Sequence, residues 1–260
     1  MCVRLSHHSI YLISRLYLTT NKIYEVRLIL METFEKLYQR AIERKGGEKA
    51  LLNLISKPLS TDKLLNIPSD RVLSEMTKKV FQSGFVWSVV EKKWESFEDV
   101  FWGFDIEKLI MMPDDMLERK AKDPAIIRNY NKVKTIRENA FMLKEISDEY
   151  GSVGKWLAEW PDKNIIGLWA YLKANGSRLG GNTGPYALRK LGKDTFILSK
   201  DVEAYFRSYG LIDGGLTTKR SLNTIQETFL KWQSESKLSL QEISQIVAYS
   251  IGDNHVGYPK

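Results

Sequence analysis

LKANGSRLGGNTGPYALRKLG, Leu172 to Gly192, is the stretch whose reading decides the fold. The apolar spacing of Leu168, Trp169 and Leu172 predicts a helix, and Gly176 stands where that periodicity stops, a place suited to a glycine in the left-handed conformation that closes a helix. Gly180 and Gly181 permit a turn too sharp for residues with a Cβ. Thr183 offers a capping hydroxyl to a second helix, and Pro185 suits its first turn. The stretch reads as helix-hairpin-helix, followed by FILSKDVEAYF through Phe206. Such a hairpin aims successive backbone N–H groups at the start of its second helix, where an anion docks without a basic side chain. Lys173, Arg178, Arg189, Lys190, Lys193 and Lys200 surround it, and Asp194 is the only acid from Leu172 to Lys200. That imbalance fits a phosphodiester backbone met by Arg178, Lys193 and the residues Gly180, Gly181, Asn182, Thr183 and Gly184. The glycine pair taken alone also fits an ordinary interhelical turn with a solvated basic rim.

Composition narrows the class. The 260 residues are 43% hydrophobic, enough for a sizeable core in one large domain or two lobes. Cys2 is the only cysteine, which rules out a disulfide framework and a cysteine metal cage and points to a reducing, cytoplasmic compartment. Lysine and arginine number 39 against 32 acids, a net charge of +7 that permits nucleic-acid binding. Residues 1–30 differ from the rest, with no acid before Glu25 and Arg4, Arg15, Lys22 and Arg27 scattered among apolar residues. The segment reads either as transit-like or, by preference, as an extension upstream of a start at Met31, and no run approaches a membrane span.

From Met31 to residue 260 helix signals follow one another and strand signals hardly appear, so the expectation is all-α. Phe34, Leu37, Tyr38 and Ala41 share one face before Gly46 and Gly47. Val133, Ile136, Ala140, Leu143 and Ile146 form the stripe of the longest helix, Asn131 to Tyr150. Asp105, Ser152, Ser199, Ser221 and Ser239 are placed as N-caps, Ser239 with Glu242 in a capping box, and Ser96 with Asp99 shows the same pattern.

From about Leu73 to about Val256 the chain resembles the DNA-3-methyladenine glycosylase I family of the helix-hairpin-helix DNA glycosylase superfamily. The stretches that carry the likeness are FQSGFVWSVVEKKWESFEDVFWGFD, DPAIIRNYNKVKTIRENA and LKANGSRLGGNTGPYALRKLG, in the family's order and spacing. The resemblance implies two helical lobes with a site between them, and a monomer that binds double-stranded DNA carrying a damaged base and hydrolyses the N-glycosidic bond of alkylated bases such as 3-methyladenine. A non-catalytic DNA-binding or lesion-sensing protein of the same shape is the alternative.

A glycosylase must extrude the nucleotide, fill the gap and hold the base. By the resemblance, Phe85 after the flexible Gly84 is the wedge and Trp87 lines a base pocket with Lys79, Gln82 and Tyr186. For Phe85 and Trp87, plain core packing is the competing reading. Cleavage builds positive charge on the sugar, which a carboxylate stabilises. Asp201 in LSKD follows the hairpin where many superfamily members carry an aspartate. It also reads as an acid in the first turn of a Ser199-capped helix, and the 3-methyladenine branch is not thought to depend on it.

Two departures stand out. Bacterial members hold zinc with two cysteines and two histidines; here His255 lacks a following cysteine, and Cys2, His7 and His8 lie in the extension, so neither metal nor cofactor is expected. The family's base-reading glutamate, eight residues before the tryptophan, is replaced by Lys79. A cation beside a cationic base is repulsive by about 4 kcal/mol at about 4 Å for an effective dielectric near 20. Glu75, one turn earlier, either pairs with Lys79 or supplies the missing carboxylate. Lys79 itself is alternatively a phosphate contact on the helix surface.

Overall fold

The computed structural model describes residues 32–252. The first helices are α1 (Phe34–Lys45), α2 (Glu48–Leu54), α3 (Thr61–Leu65), α4 (Ser69–Gln82) and α5 (Trp87–Lys92). Next come α6 (Trp94–Val100), α7 (Ile106–Ile110), α8 (Asp114–Ala121), α9 (Tyr130–Tyr150) and α10 (Val153–Glu159). The chain continues through α11 (Ile165–Asn175), α12 (Thr183–Leu191), α13 (Lys200–Ser208), α14 (Lys219–Ser236) and α15 (Leu240–Tyr249). The fold is all-α, and no strand occurs among the described residues. No helix among them is long and apolar enough to cross a membrane.

Helices α3 to α10 gather around α9, which packs on α4, α7, α8 and α10, and form one lobe. In it Phe81 meets Phe97 edge-on at 4.7 Å and Trp94 stacks between Phe97 and Phe104, an arrangement that burial of apolar area and ring geometry both favour. The second lobe joins both ends of the described chain: α1 packs on α14 and α15, and α13 on α15. Its core stacks Phe196 on Phe229 at 4.3 Å beside Tyr205, Phe206 and Trp232. Helix α11 reaches this core through Trp169, 4.7 Å from Phe196, whose indole N–H donates to Thr195 Oγ1. Helix α12 leaves the second lobe to lie along α4 of the first, and that crossing sets the hairpin against the C-terminal end of α4.

Local signals explain several helix starts. The side chains of Asp105, Ser152 and Ser199 accept from the backbone N–H groups of Lys108, Lys155 and Val202, and Ser239 with Glu242 forms the expected capping box. Three expectations need correction. Ser96 lies inside α6. Thr218 rather than Ser221 caps α14, because Thr218 Oγ1 is the acceptor of the Ser221 N–H. Helix α12 opens at Thr183 behind Asn182, and neither side chain caps it, since the Asn182 amide donates instead to Leu198 O at 2.8 Å.

Candidate active site

The cleft between the lobes is built from two chain turns. The first follows α4, where Ser83, Gly84, Phe85 and Val86 redirect the chain into α5. The ammonium of Lys132, on α9, donates to Val80 O at 2.7 Å, Phe81 O at 3.2 Å and Ser83 O at 2.5 Å. A cation there satisfies carbonyls that the end of a helix leaves without partners and complements its dipole. The same ammonium lies 4.8 Å from the Phe85 ring, and burial, then the charge of Arg178, lowers its pKa.

The second turn is the hairpin, which Asn139, also on α9, anchors. Its Oδ1 accepts from Ser177 N at 2.7 Å and its Nδ2 donates to Ser177 O at 3.1 Å. Gly176 is extended, with φ −94°, instead of left-handed; glycine is required there because a Cβ would lie 2.6 Å from Leu179 Cδ1 and 2.7 Å from Leu172 O. Gly181 does take the left-handed conformation, φ +60°, and a Cβ there would project into open space. The Gly184 N–H donates to Leu179 O and that of Thr183 to Gly180 O, whereas the amides of Gly180, Gly181 and Asn182 donate to nothing among the described residues. Those three N–H groups, not the whole run to Gly184, are left to meet an anion.

The basic rim is smaller than the sequence suggests. Lys173, Arg178, Lys190 and Lys200 are exposed. Lys193, expected on DNA, is only 3% exposed, with its ammonium held by Trp160 O and Asp162, each at 2.8 Å; this is a correction, because that charge is neutralised inside the fold. Arg189 also turns inward to Thr195 O, and burial lowers its pKa to about 10.

Between the two turns lies a cavity of 340 Å³. Lys79, Gln82, Ser83 and Trp87 line it from the α4 side, and Gly180, Gly181, Asn182, Thr183 and Tyr186 from the hairpin side. Trp87 and Tyr186 meet edge to face at its wall, centroids 5.9 Å apart. Trp87 is 51% exposed, so core packing does not account for it. Phe85, expected as the wedge, is half-buried against Phe81 beneath Lys132. The apolar side chain that stands clear at this turn is Val86, 67% exposed.

Lys79 is 4% exposed, which excludes the reading of it as a surface phosphate contact. Its ammonium donates to Gln82 Oε1 at 2.7 Å and lies 3.2 Å from Glu75 Oε1 and 5.3 Å from the Trp87 ring centre. The Glu75 contact is a charge pairing, since that oxygen accepts no well-directed hydrogen bond. Glu75 therefore takes the first of its two expected roles and pairs with Lys79, outside the cavity lining. Gln82 in turn donates to Glu91 Oε1 at 2.7 Å. Burial lowers the Lys79 pKa, opposed by Glu75 and Glu91 and reinforced by Lys190.

Asp201 lies in the first turn of α13, half-buried behind the Ser199 cap, and does not line the cavity. The lining contains no carboxylate at all. Lys132 and Asn139, which hold the two turns in place, escape a reading of the sequence because their partners lie 38 to 52 residues away. The one sequence signal is their spacing of seven, which puts both on one face of α9. Among the described residues no three His, Cys, Asp or Glu side chains converge as metal ligands, and Cys2, His7, His8 and His255 lie outside those residues.

Comparison with known proteins meets this geometry at the α4 side of the cleft. A family profile described as methyladenine glycosylase matches residues 68–179, the segment that carries Lys79, Gln82, Trp87, Lys132 and Asn139. Over these residues the chain is similar to the methyladenine glycosylase family. The match ends one residue before Gly180, so the hairpin wall of the cavity lies beyond it. The 3-methyladenine DNA glycosylase I of Staphylococcus aureus is 24% identical, with 48% of this chain and 77% of that one covered and a TM-score of 0.44. An 8-oxoguanine glycosylase/lyase of Methanocaldococcus jannaschii, solved with a 15mer DNA containing 8-oxoguanine, is 17% identical with a TM-score of 0.51. That likeness covers 82% of this chain and 96% of the other, and extends the shared helix-hairpin-helix glycosylase fold to both lobes. The methyladenine glycosylase match over residues 68–179 supports a DNA glycosylase function in base-excision repair, with Lys79 in the cavity lining as the feature to be explained.

The three open amides predict the effect of one substitution. Asn tolerates the left-handed conformation, so Gly181→Asn should leave the helices folded while its side chain fills the space in front of those amides. Affinity for undamaged duplex is expected to fall about tenfold, a loss of about 1.4 kcal/mol, at every sequence alike. Unchanged affinity in a fluorescence-anisotropy titration would remove the phosphate from this turn.

Proposed function

We propose that this glycosylase takes an alkylated purine out of duplex DNA, stacks it on Trp87 beside Tyr186, and hydrolyses its N-glycosidic bond as a monomer. The observation that carries the reading is the cavity between the α4 turn and the hairpin, with an exposed indole on one wall and a phenol on the other. The open amides of Gly180, Gly181 and Asn182, with Arg178 at the rim, grip the strand, and Val86 above Phe85 fills the vacated stack. A chromosomal substrate requires an intracellular location. The alternative is a protein that senses lesions without cutting.

Asp201 is the carboxylate assigned to the oxocarbenium charge, reached only if the bound strand brings the sugar toward α13. Glu75 acts through Lys79 instead. The test is release of free base from methylated duplex with enzyme in excess, followed chromatographically. The parent should release base, and Trp87→Ala should lose about 1–3 kcal/mol of stacking, a fall of about five- to 150-fold. A Glu75→Gln, Asp201→Asn double variant should be severely slowed. If that variant keeps full activity, neither carboxylate serves the reaction. If the parent binds lesion duplex yet releases nothing, the protein is the non-catalytic sensor.

A further inference from the structure

We infer that Lys79 makes this pocket selective for an electrically neutral damaged base with acceptors on its edge, and that its ammonium is the donor that helps such a base leave. The inference rests on the cavity being the base pocket, as proposed above.

Three observations converge on it. The first is placement: Lys79 lines the cavity and is almost fully removed from solvent, so its charge is not screened by water from a guest. The second is protonation. Against burial and the charge of Lys190, its direct contacts favour the cation: Gln82 presents its carbonyl oxygen, Glu75 a carboxylate and Trp87 a ring within cation–π range. An ammonium carries three N–H donors, and Gln82 with Glu75 occupies at most two, which leaves one for a guest. The third is what the lining lacks. With no carboxylate among the cavity residues, no full negative charge in it offsets that of a cationic base; its side-chain acceptors are neutral oxygens, such as those of Ser83, Asn182, Thr183 and Tyr186. The Trp87 ring, which would favour a cationic guest, already has the Lys79 ammonium beside it.

The chemistry follows from charge. An N-alkylated purine cation departs as a neutral molecule and needs no acid. A neutral purine departs with the electron pair of the broken C1′–N9 bond, and negative charge builds on its ring nitrogens and O6. A buried ammonium donating to N7, N3 or O6 stabilises that charge and delivers the proton as the bond breaks, while water adds to C1′ and its released proton restores Lys79 through solvent. Burial lowers the Lys79 pKa, which makes it a stronger acid than an ordinary lysine. Glu75 keeps the amine protonated between turnovers.

The experiment measures single-turnover excision and equilibrium binding on four duplexes identical but for one base: hypoxanthine and O6-methylguanine, both neutral, and 3-methyladenine and 7-methylguanine, both cationic. The parent is expected to favour at least one neutral base over both cationic bases by tenfold or more. Lys79→Met, which keeps the length of the stem, should lose at least tenfold on the neutral base and gain on the cationic pair, whose charge is no longer repelled. Lys79→Glu should reverse the order. Faster excision or tighter binding of a cationic base by the parent overturns the inference and leaves the glycosylase reading intact; because this ranking uses the parent alone, it holds whether or not the variants fold. Tighter binding of the neutral bases without excision of any would uphold the selectivity and overturn the donor role together with the glycosylase reading. Equal binding of all four without excision would overturn both.

Discussion

Lys132→Met should lower the melting temperature by about 4–16 °C and slow excision more than it weakens binding to undamaged DNA. The ammonium of Lys132 is the donor that Val80 O, Phe81 O and Ser83 O share, and methionine has none to offer. A buried carbonyl left without a donor costs about 1–3 kcal/mol, and with water reaching the Ser83 side the total is set at about 2–4 kcal/mol. For a chain of this size each kcal/mol is worth about 2–4 °C. The functional loss follows from what the turn carries: Val86 and Trp87 come directly after it, so a loosened turn misplaces both the side chain that fills the stack and the ring that receives the base. Thermal unfolding with single-turnover base release checks both halves. Lys132→Arg, which keeps the charge and donors, should recover part of the activity. Melting and excision equal to the parent would show that the turn holds its own shape.

The hairpin was legible because its signals are local. Gly180 and Gly181 with the helical stripes around them predict the turn, and the structure has α11 ending at Asn175 and α12 opening at Thr183. Helix caps were legible for the same reason, as at Ser199 and at Ser239 with Glu242. Side-chain direction was less accessible. Lys193 looks like one more cation of the rim, yet it reaches Asp162, 31 residues earlier, and no local pattern encodes that pairing. The same holds for Phe85: sequence alone does not say that its ring lies under the Lys132 ammonium while Val86 stands clear.

Lys79 lies between these cases. Its substitution for the family glutamate and its spacing of four from Glu75 are both readable, and the ion pair they suggest is present at 3.2 Å. Its burial is not readable, because α12 has to fold back along α4 before the cavity exists. That burial turns a surface lysine on paper into a charge that a guest base must meet. Asp201 marks the opposite limit. The residue type and its place after the hairpin fit a catalytic carboxylate, but the path of the bound strand decides whether the sugar comes near it.

The most direct test of the central claim, that a flipped base occupies this cavity, is to plug it. Thr183 is half-buried on the hairpin wall at the start of α12, and no side-chain hydrogen bond holds it, so Thr183→Trp should fill the cavity beside Trp87 and Tyr186 without unfolding the helix. Single-turnover excision on lesion duplex is expected to fall at least a hundredfold, about 2.7 kcal/mol or more, while affinity for undamaged duplex stays within twofold of the parent. Excision at the parental rate with the cavity filled would contradict the account, because the base would then be received somewhere else.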